Sequence, residues 1–417
     1  MYTPIYATKY ANVGYGAGWF VKRSMRSARF FIVVAFLLLP FSADAAQYKP
    51  FEVSGWIPYW RTATGTADAL LHLDSLTEVN PFVYTLKSDG TFLDNGKLDE
   101  EPWLTLRAEA KKKNIRFVPT IMTSNGELLH TLLKDSKSRI ALEDRIAALV
   151  KEKGFDGIDI DFEGKRAATK DYFSTFLKGL AMRMPKHWIM CTIETRTPVA
   201  DRYYGATPPP DATTYANDFK AINKYCDRVR LMAYDQQGVD VKLATEYASS
   251  SQLYAPIGDP AWVEKVVNLA AKDISKKKLM IGIPTYGYEF GVTVYSGPEY
   301  VYDPLWTFNP RYATETAALY GVTPYRAPWG EMAFSYAPAA TSTIATSTVG
   351  ILGVATAYAA ADFAQAFNSN LNFRLMVWPD AESVRQKVAL AKKLGVRGVS
   401  IFKIDGGEDP GIWSVLK

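Results

Sequence analysis

Residues 155–164, FDGIDIDFEG, combine the apolar pattern of a buried β-strand with four acidic side chains. Successive residues of a strand face opposite sides, so this stretch has one apolar face and one acidic face. The apolar face carries Ile158, Ile160 and Phe162, and the acidic face carries Asp159, Asp161 and Glu163. Burying three neighbouring carboxylates is costly. The stretch therefore indicates a strand whose acidic face serves a chemical purpose.

Eight segments of the chain have the short apolar pattern of buried strands. They are residues 53–60, 78–86, 115–123, 155–163, 188–195, 229–234, 279–286 and 398–404. Amphipathic stretches of helical period lie between several of them, at residues 138–151, 170–184 and 381–394. This alternation predicts an α/β fold, a (β/α)8 TIM barrel. A doubly wound open sheet is the alternative, and the lack of a Gly-rich phosphate loop after the first strand counts against it.

One long connection interrupts this alternation. Residues 289–371 separate the seventh strand from the helix before the eighth, and so divide the barrel into residues 47–288 and 372–417. Connections of this length usually have structure or function of their own. The aromatic first part predicts a small α+β insertion. Residues 337–371 are rich in Ala, Thr and Ser, which favours a buried hairpin or helix over a flap that contacts a partner.

Residues 1–46 have the features of an export signal with a leader before it. Basic residues precede an apolar run at residues 30–41, and Ser-Ala-Asp-Ala-Ala follows. A membrane span needs about 20 apolar residues, so we expect cleavage near Ala45 and no stable span afterwards. Met25 lies just before the compact signal and is an alternative translation start. The protein is predicted to be secreted or to reside in the cell envelope.

The mature chain carries little net charge. Without residues 1–45 the formal charge falls from +5 to +1, which gives no electrostatic case for nucleic-acid binding and suits a neutral partner. We expect a monomer. Cys191 and Cys226 remain, and the sequence leaves open whether they form a disulfide or stay as buried thiols.

The acidic residues differ in depth along their strand. Glu163 comes last, at the carboxyl end, where barrels of this kind hold their active sites. Asp161 lies about 6–7 Å deeper, and Asp159 is deeper still, where it would tune its neighbour. Asp156 faces the other side and is predicted to be structural. Because crowded carboxylates repel one another, at least one should keep its proton to high pH, which suits a general acid.

Two other interpretations of the acidic face are a structural network of hydrogen-bonded carboxylates and a divalent-metal site. Calcium loops need a different spacing of ligands and glycine. We therefore expect neither a metal nor an organic cofactor.

Carboxylates on one strand constrain any glycoside chemistry. The usual glycosidase places two carboxylates on opposite sides of the scissile bond, whereas these approach a sugar from one side only. The nucleophile would then come from the substrate, and a 2-acetamido carbonyl that attacks C1 meets this need. Asp161 would orient that amide.

The segment Asp156–Glu163 resembles the DGxDxDxE signature of glycoside hydrolase family 18, the chitinases and their relatives. The segments GWIPYW, MAYD and GIPTYG, at residues 55–60, 232–235 and 282–287, resemble the family's first, sixth and seventh strands. The resemblance implies a barrel and a glycan substrate such as chitin, its oligomers or peptidoglycan. By motif it implies Glu163 as acid/base, assisted by Asp161 and Asp159. It also implies Tyr234 on the acetamido carbonyl, with Asp235 and Tyr286 in sugar binding.

Aromatic residues are the other candidates for sugar contact. Phe402 stands where many family members have a tryptophan beneath the reacting sugar, and Trp60 ends the first strand. Trp56 is equally compatible with core packing and with a sugar platform. Residues that depart from the chitinase pattern are similar to those of the bacterial spore cortex-lytic branch. A silent glycan-binding protein on the same barrel is the alternative function, and the presence of Glu163 favours an enzyme.

Overall fold

The computed structural model describes residues 51–250, 252–295, 299–337 and 371–416. The export signal expected at residues 1–46 lies outside these ranges. So does nearly all of the Ala/Thr/Ser-rich segment expected to form a hairpin, helix or flap.

Eight parallel strand positions close into a barrel. They are β1 (Glu52–Pro58), β2 (Glu78–Leu86), the pair β4 (Arg116–Phe117) and β5 (Thr120–Thr123), β6 (Gly157–Phe162), β7 (Trp188–Glu194), β8 (Arg228–Met232), β9 (Leu279–Pro284) and β15 (Gly398–Phe402). The first strand pairs with both the second and the last. This closure confirms the (β/α)8 barrel and excludes the open sheet. A short antiparallel strand, β3 (Phe92–Asp94), extends β2.

Helices connect the barrel strands, and a last short helix follows β15. They are α1 (Thr62–Leu71), α2 (Trp103–Lys112), α3 (Gly126–Lys134), α4 (Ser136–Lys153), α5 (Lys170–Arg183), α6 (Val199–Arg202), α7 (Phe219–Tyr225), α8 (Val241–Ser249), α9 (Pro260–Ala270), α11 (Ala381–Leu394) and α12 (Ile412–Val415). The three helices predicted from periodicity correspond to α4, α5 and α11. The helix α4 begins where the Asp135 carboxylate accepts the Ser138 N–H, and it ends at Gly154 in the left-handed conformation that glycine adopts readily. None of the helices in the described ranges is both long and apolar enough to cross a bilayer.

A second sheet is inserted after β9. Its antiparallel strands are β10 (Gly287–Tyr295), β11 (Glu299–Phe308), β12 (Tyr325–Arg326), β13 (Met332–Tyr336) and β14 (Leu371–Trp378). The helix α10 (Pro310–Tyr320) follows β11, so the insertion is α+β as predicted. Since β14 pairs with β10, the inserted sheet continues to Trp378, past the boundary expected at residue 371. Only Thr285 and Tyr286 separate β9 from β10, which places the start of this sheet at the carboxyl end of the barrel.

Ion pairs fill the interior of the barrel below the acidic face of β6. Arg116 contacts Glu52 at 2.8 Å and Glu78 at 2.7 Å. The fully buried Arg230 contacts Glu78 and also Asp159, the latter at 2.9 Å. A buried charge is tolerated when it is paired in this way. The network therefore anchors Asp159, the deepest carboxylate on the acidic face of β6, to neighbouring strands of the barrel.

Cys191 and Cys226 form a disulfide. The first lies in β7 and the second just before the neighbouring strand β8. The pairing resolves the question that the sequence left open, and disulfides persist mainly in oxidising compartments.

Candidate active site

The two faces of β6 have the environments that their alternation predicts. Phe162 stacks on Phe176 of α5, with 5.6 Å between ring centroids. Asp159 and Asp161 are buried within the barrel, with 0% and 3% exposure. At the start of the strand the Asp156 carboxylate accepts the Phe117 N–H at 2.7 Å, which confirms its structural role. The acidic face thus leads from the barrel interior to its carboxyl end.

Asp159 is saturated with partners. It accepts hydrogen bonds from the Trp56 indole N–H at 2.9 Å, from Thr120 at 2.8 Å and from Thr192 at 2.9 Å, in addition to its ion pair with Arg230. Trp56 is 1% exposed, so its core interpretation is confirmed. These partners lie on four different strands. Asp159 is thus held fixed and acts on other groups through its charge.

Asp161 and Glu163 lie close together on the acidic face of β6, and each shifts the pKa of the other. Burial raises the pKa of Asp161 well above the ordinary value, and the charges of Glu163 and Asp159 raise it further. Burial also raises the pKa of the half-buried Glu163. Among the residues described, the buried Asp161 Oδ1 has no hydrogen-bond partner. Burial and mutual repulsion therefore favour the protonated form of these two carboxyls, and Asp161 Oδ1 offers one acceptor to a ligand.

Glu194 and Lys165 are site residues that the sequence did not suggest. Glu194 ends β7 and accepts the Gly164 N–H at 3.0 Å and the Asn217 amide at 2.8 Å. The buried Lys165 ammonium lies 3.8 Å from the Glu194 carboxylate. After burial, the charge of Glu194 is the largest cause of the raised pKa of Glu163. The position of Glu194 at the end of β7 could have predicted this role from the sequence, because neighbouring parallel strands end side by side.

A tyrosine cluster lies just after β8 and β9 and at the start of β10. Asp235 accepts hydrogen bonds from the Tyr286 hydroxyl at 2.6 Å and from the Tyr288 hydroxyl at 3.0 Å. Tyr234 is buried, and burial together with the nearby carboxylates raises the pKa of its phenol. A Cβ at Gly282 would lie 2.8 Å from the Tyr234 ring, so glycine is needed there. Tyr234 is therefore a neutral hydroxyl donor at a fixed position.

Phe402 lies at the centre of an aromatic floor. Its ring stacks on that of Tyr234, with an interplanar angle of 16° and 5.8 Å between centroids. Trp56, Phe82 and Tyr286 meet it edge-on at 5.8–6.0 Å. The half-buried Phe402 ring, on the last residue of β15, is thus held by aromatic neighbours at the carboxyl end of the barrel.

An open cavity of about 380 Å³ adjoins this floor. Trp60, two residues after the end of β1, and Trp306, on the inserted strand β11, line it and are 48% and 45% exposed. Tyr286 also lines the cavity and connects it with Asp235. The sequence marked Trp60 as a cleft residue, whereas Trp306 was hidden among the many aromatics of the insertion. Exposed aromatic rings beside a polar cluster are typical of sugar-binding clefts.

The predicted site residues meet at one end of the barrel. Glu163 and Asp161 are close enough for each to shift the pKa of the other, and Tyr234, Tyr286 and Phe402 form one aromatic cluster. Within the ranges that the structure describes, no group of three or more His, Cys, Asp or Glu side chains has the arrangement to hold a metal ion. The arrangement can deliver a proton and bind an amide on the same side of a ligand.

Comparison with known proteins gives matches to one family. The family model of the glycosyl hydrolases family 18 matches residues 52–407. The uncharacterized glycosylase YvbX of Bacillus subtilis is 23% identical over 52% of this chain and 61% of its own length. The cortical fragment-lytic enzyme of the same organism is 25% identical over 77% of this chain and 64% of its own. This chain thus spans less than two thirds of either relative.

Solved structures share the fold. The spore cortex-lytic enzyme SleL of Bacillus megaterium superposes with a TM-score of 0.62 at 20% identity, over 88% of this chain and 73% of that one. The chitinase of Chromobacterium violaceum superposes with a TM-score of 0.63 at 17% identity, over 88% and 98%.

Proposed function

The chain belongs to family 18 of the glycosyl hydrolases, and on that premise we propose that it is a glycosidase. It cleaves β-1,4 bonds of glycans that contain N-acetylglucosamine, by a retaining mechanism in which the substrate supplies the nucleophile. The observation that carries the proposal is the placement of Asp161 and Glu163 on one face of β6 at its carboxyl end, where Asp161 is buried and its Oδ1 has no hydrogen-bond partner among the described residues. Burial raises the pKa of both carboxyls, which suits a proton donor.

The first step divides the work between this pair and the substrate. Glu163 donates its proton to the glycosidic oxygen while the 2-acetamido carbonyl attacks C1 from the opposite face of the ring. Asp161 accepts the amide N–H and stabilises the positive charge of the cyclised intermediate. Tyr234 donates its hydroxyl to the acetamido oxygen. In the second step Glu163 takes a proton from a water molecule that attacks C1 and opens the ring formed by the acetamido group. This second attack restores the original anomeric configuration.

The remaining candidates bind the sugar. Phe402 offers an apolar face beneath the ring, and Trp60 stacks on a neighbouring sugar unit. Asp235, held by two tyrosine hydroxyls, accepts a hydrogen bond from a sugar hydroxyl. Asp159 adds negative charge below the pair and raises the pKa of Asp161.

The proposal is tested by analysing products from chitin oligomers and purified peptidoglycan side by side. We expect new reducing ends from at least one substrate, with the β-anomer formed first in the NMR spectrum. An α-anomer as first product would contradict retention. Binding without any cleavage would support the alternative, a silent glycan-binding protein.

The fall of kcat/KM at alkaline pH, the alkaline limb of its pH profile, should depend on Glu194. A general acid must be protonated in the free enzyme, so kcat/KM falls as pH rises through the raised pKa of Glu163. The Glu194 charge raises that pKa, so Glu194→Gln should move the alkaline limb to lower pH. The pH dependence of kcat/KM measures this shift. The exposed Glu152→Gln serves as control, and a limb that stays in place in both variants would argue against a role for Glu194.

We also propose that the protein acts as a monomer outside the cytoplasm. All of the candidate residues lie on one chain. The basic and apolar pattern of residues 1–46 and the Cys191–Cys226 disulfide support export. N-terminal sequencing of the exported protein tests this, and an uncleaved leader would contradict it.

A further inference from the structure

The cavity lined by Tyr286 contains two cations that the proposed reaction does not use. Nine residues line it, among them Arg61, just after β1, and Lys403, just after β15. None of the nine is acidic. Since Tyr286 joins this cavity to Asp235, a glycan bound across the catalytic pair can extend into it.

Lys403 is fixed in place but keeps donor capacity. Its ammonium donates to the Asn309 amide oxygen at 2.9 Å and to the buried Asp405 carboxylate. An ammonium has three donors, so one remains for a ligand. The two partners hold the charge at the cavity wall.

Arg61 is less constrained and more exposed. Its side chain is 53% exposed, and its one ion pair in the described residues is a 4.0 Å contact with Asp405. That distance is too long for a good hydrogen bond. Arg61 and Lys403 therefore share one buried carboxylate, so the residues that line the cavity carry more positive charge than this carboxylate offsets.

Aromatic rings accompany this charge. Trp60 and Trp306 expose their rings to the same cavity. A volume of about 380 Å³ lies within the usual range of small-ligand sites, roughly 300–1,000 Å³. Rings provide stacking surfaces for a sugar, and a guanidinium with a nearby ammonium recognises a carboxylate.

We infer that this cavity is a subsite for a sugar unit that bears a carboxylate. The inference rests on the proposed function and narrows its substrate to an acidic glycan. The net charge of +1 suggested neutral partners, but it averages over the whole surface, whereas the excess positive charge here is local. Two sources supply the chemistry: the lactyl carboxylate of muramic acid in peptide-free peptidoglycan strands, and a uronic acid.

Calorimetry with the Glu163→Gln variant measures binding without requiring turnover. The ligands are peptide-free peptidoglycan strands and a uronic-acid oligosaccharide, each with and without carbodiimide amidation of its carboxylates, and a chitin oligomer. We expect either the peptidoglycan series or the uronic-acid series to bind about tenfold more tightly in its acidic form than in its amidated form. This is in keeping with a charge-assisted hydrogen bond that is partly exposed. The series that shows the preference identifies the source.

Additional substitutions in the Glu163→Gln background show which residue causes the preference for the acidic ligand. Arg61→Gln should remove most of it, and Arg61→Lys should retain part. Arg385→Gln is the matched control, since that arginine is 57% exposed and lies on α11. Equal affinity for acidic and amidated ligands, or a preference that survives Arg61→Gln, would overturn the inference. Hydrolysis by the wild-type enzyme is scored separately, so cleavage without a carboxylate preference rejects the subsite and leaves the glycosidase proposal standing.

Discussion

Glu163→Gln should lower kcat on a natural glycan by about 10³-fold while leaving the affinity for the glycan nearly unchanged. General acid catalysis typically contributes 10²- to 10⁴-fold, and an amide of the same shape has no proton of suitable acidity to give. An aryl glycoside with a good leaving group needs little protonation. Cleavage of that substrate should therefore suffer much less than cleavage of an oligosaccharide.

The same variant should be at least as stable as the wild type at neutral pH. Folding raises the pKa of Glu163, so the wild type loses stability as pH rises through that folded value. Glutamine has no charge to desolvate. Melting temperatures at several pH values measure the difference, and Glu152→Gln, on the exposed face of α4, is the control. In the activity measurements, an equal loss of kcat on the oligosaccharide and on the aryl glycoside, or a near-normal kcat, would exclude Glu163 as the acid.

The sequence was sufficient to predict the barrel because its strands are short apolar runs with regular spacing. The alternation of β6 assigned Phe162 to the helix side and Asp161 to the interior without any long-range information. Strand polarity then placed Glu163 at the carboxyl end. These inferences depend only on local periodicity and on one property of the fold.

Other features depend on contacts between distant residues. No local pattern shows that Arg230 pairs with Asp159, or that Trp306 of the insertion shares a cavity with Trp60. The disulfide follows from the register of neighbouring strands, which the two cysteine positions alone do not determine. Trp56 was ambiguous for the same reason, since its indole N–H is explained only by the position of Asp159.

Substrate assistance gives the catalytic pair a clear division of labour, which substitution of Asp161 should reveal. Asp161→Ala should lower kcat/KM by about 10²- to 10³-fold, the cost of removing one preorganised group that stabilises developing charge. An aryl glycoside should not recover the loss, because Asp161 assists attack on C1 and not departure of the leaving group. This contrast with Glu163→Gln separates the two roles.

A thiazoline analogue of the cyclised intermediate provides the second measurement for Asp161→Ala. If Asp161 stabilises that intermediate, inhibitor affinity should fall roughly in proportion to kcat/KM, since an analogue reports transition-state binding. Asp211→Ala, an exposed loop substitution, is the control for general effects of removing an aspartate. Full activity of Asp161→Ala, or unchanged thiazoline affinity, would count against the acetamido nucleophile. The burial of Asp161 and its unpartnered Oδ1 would then have to serve a role other than amide recognition.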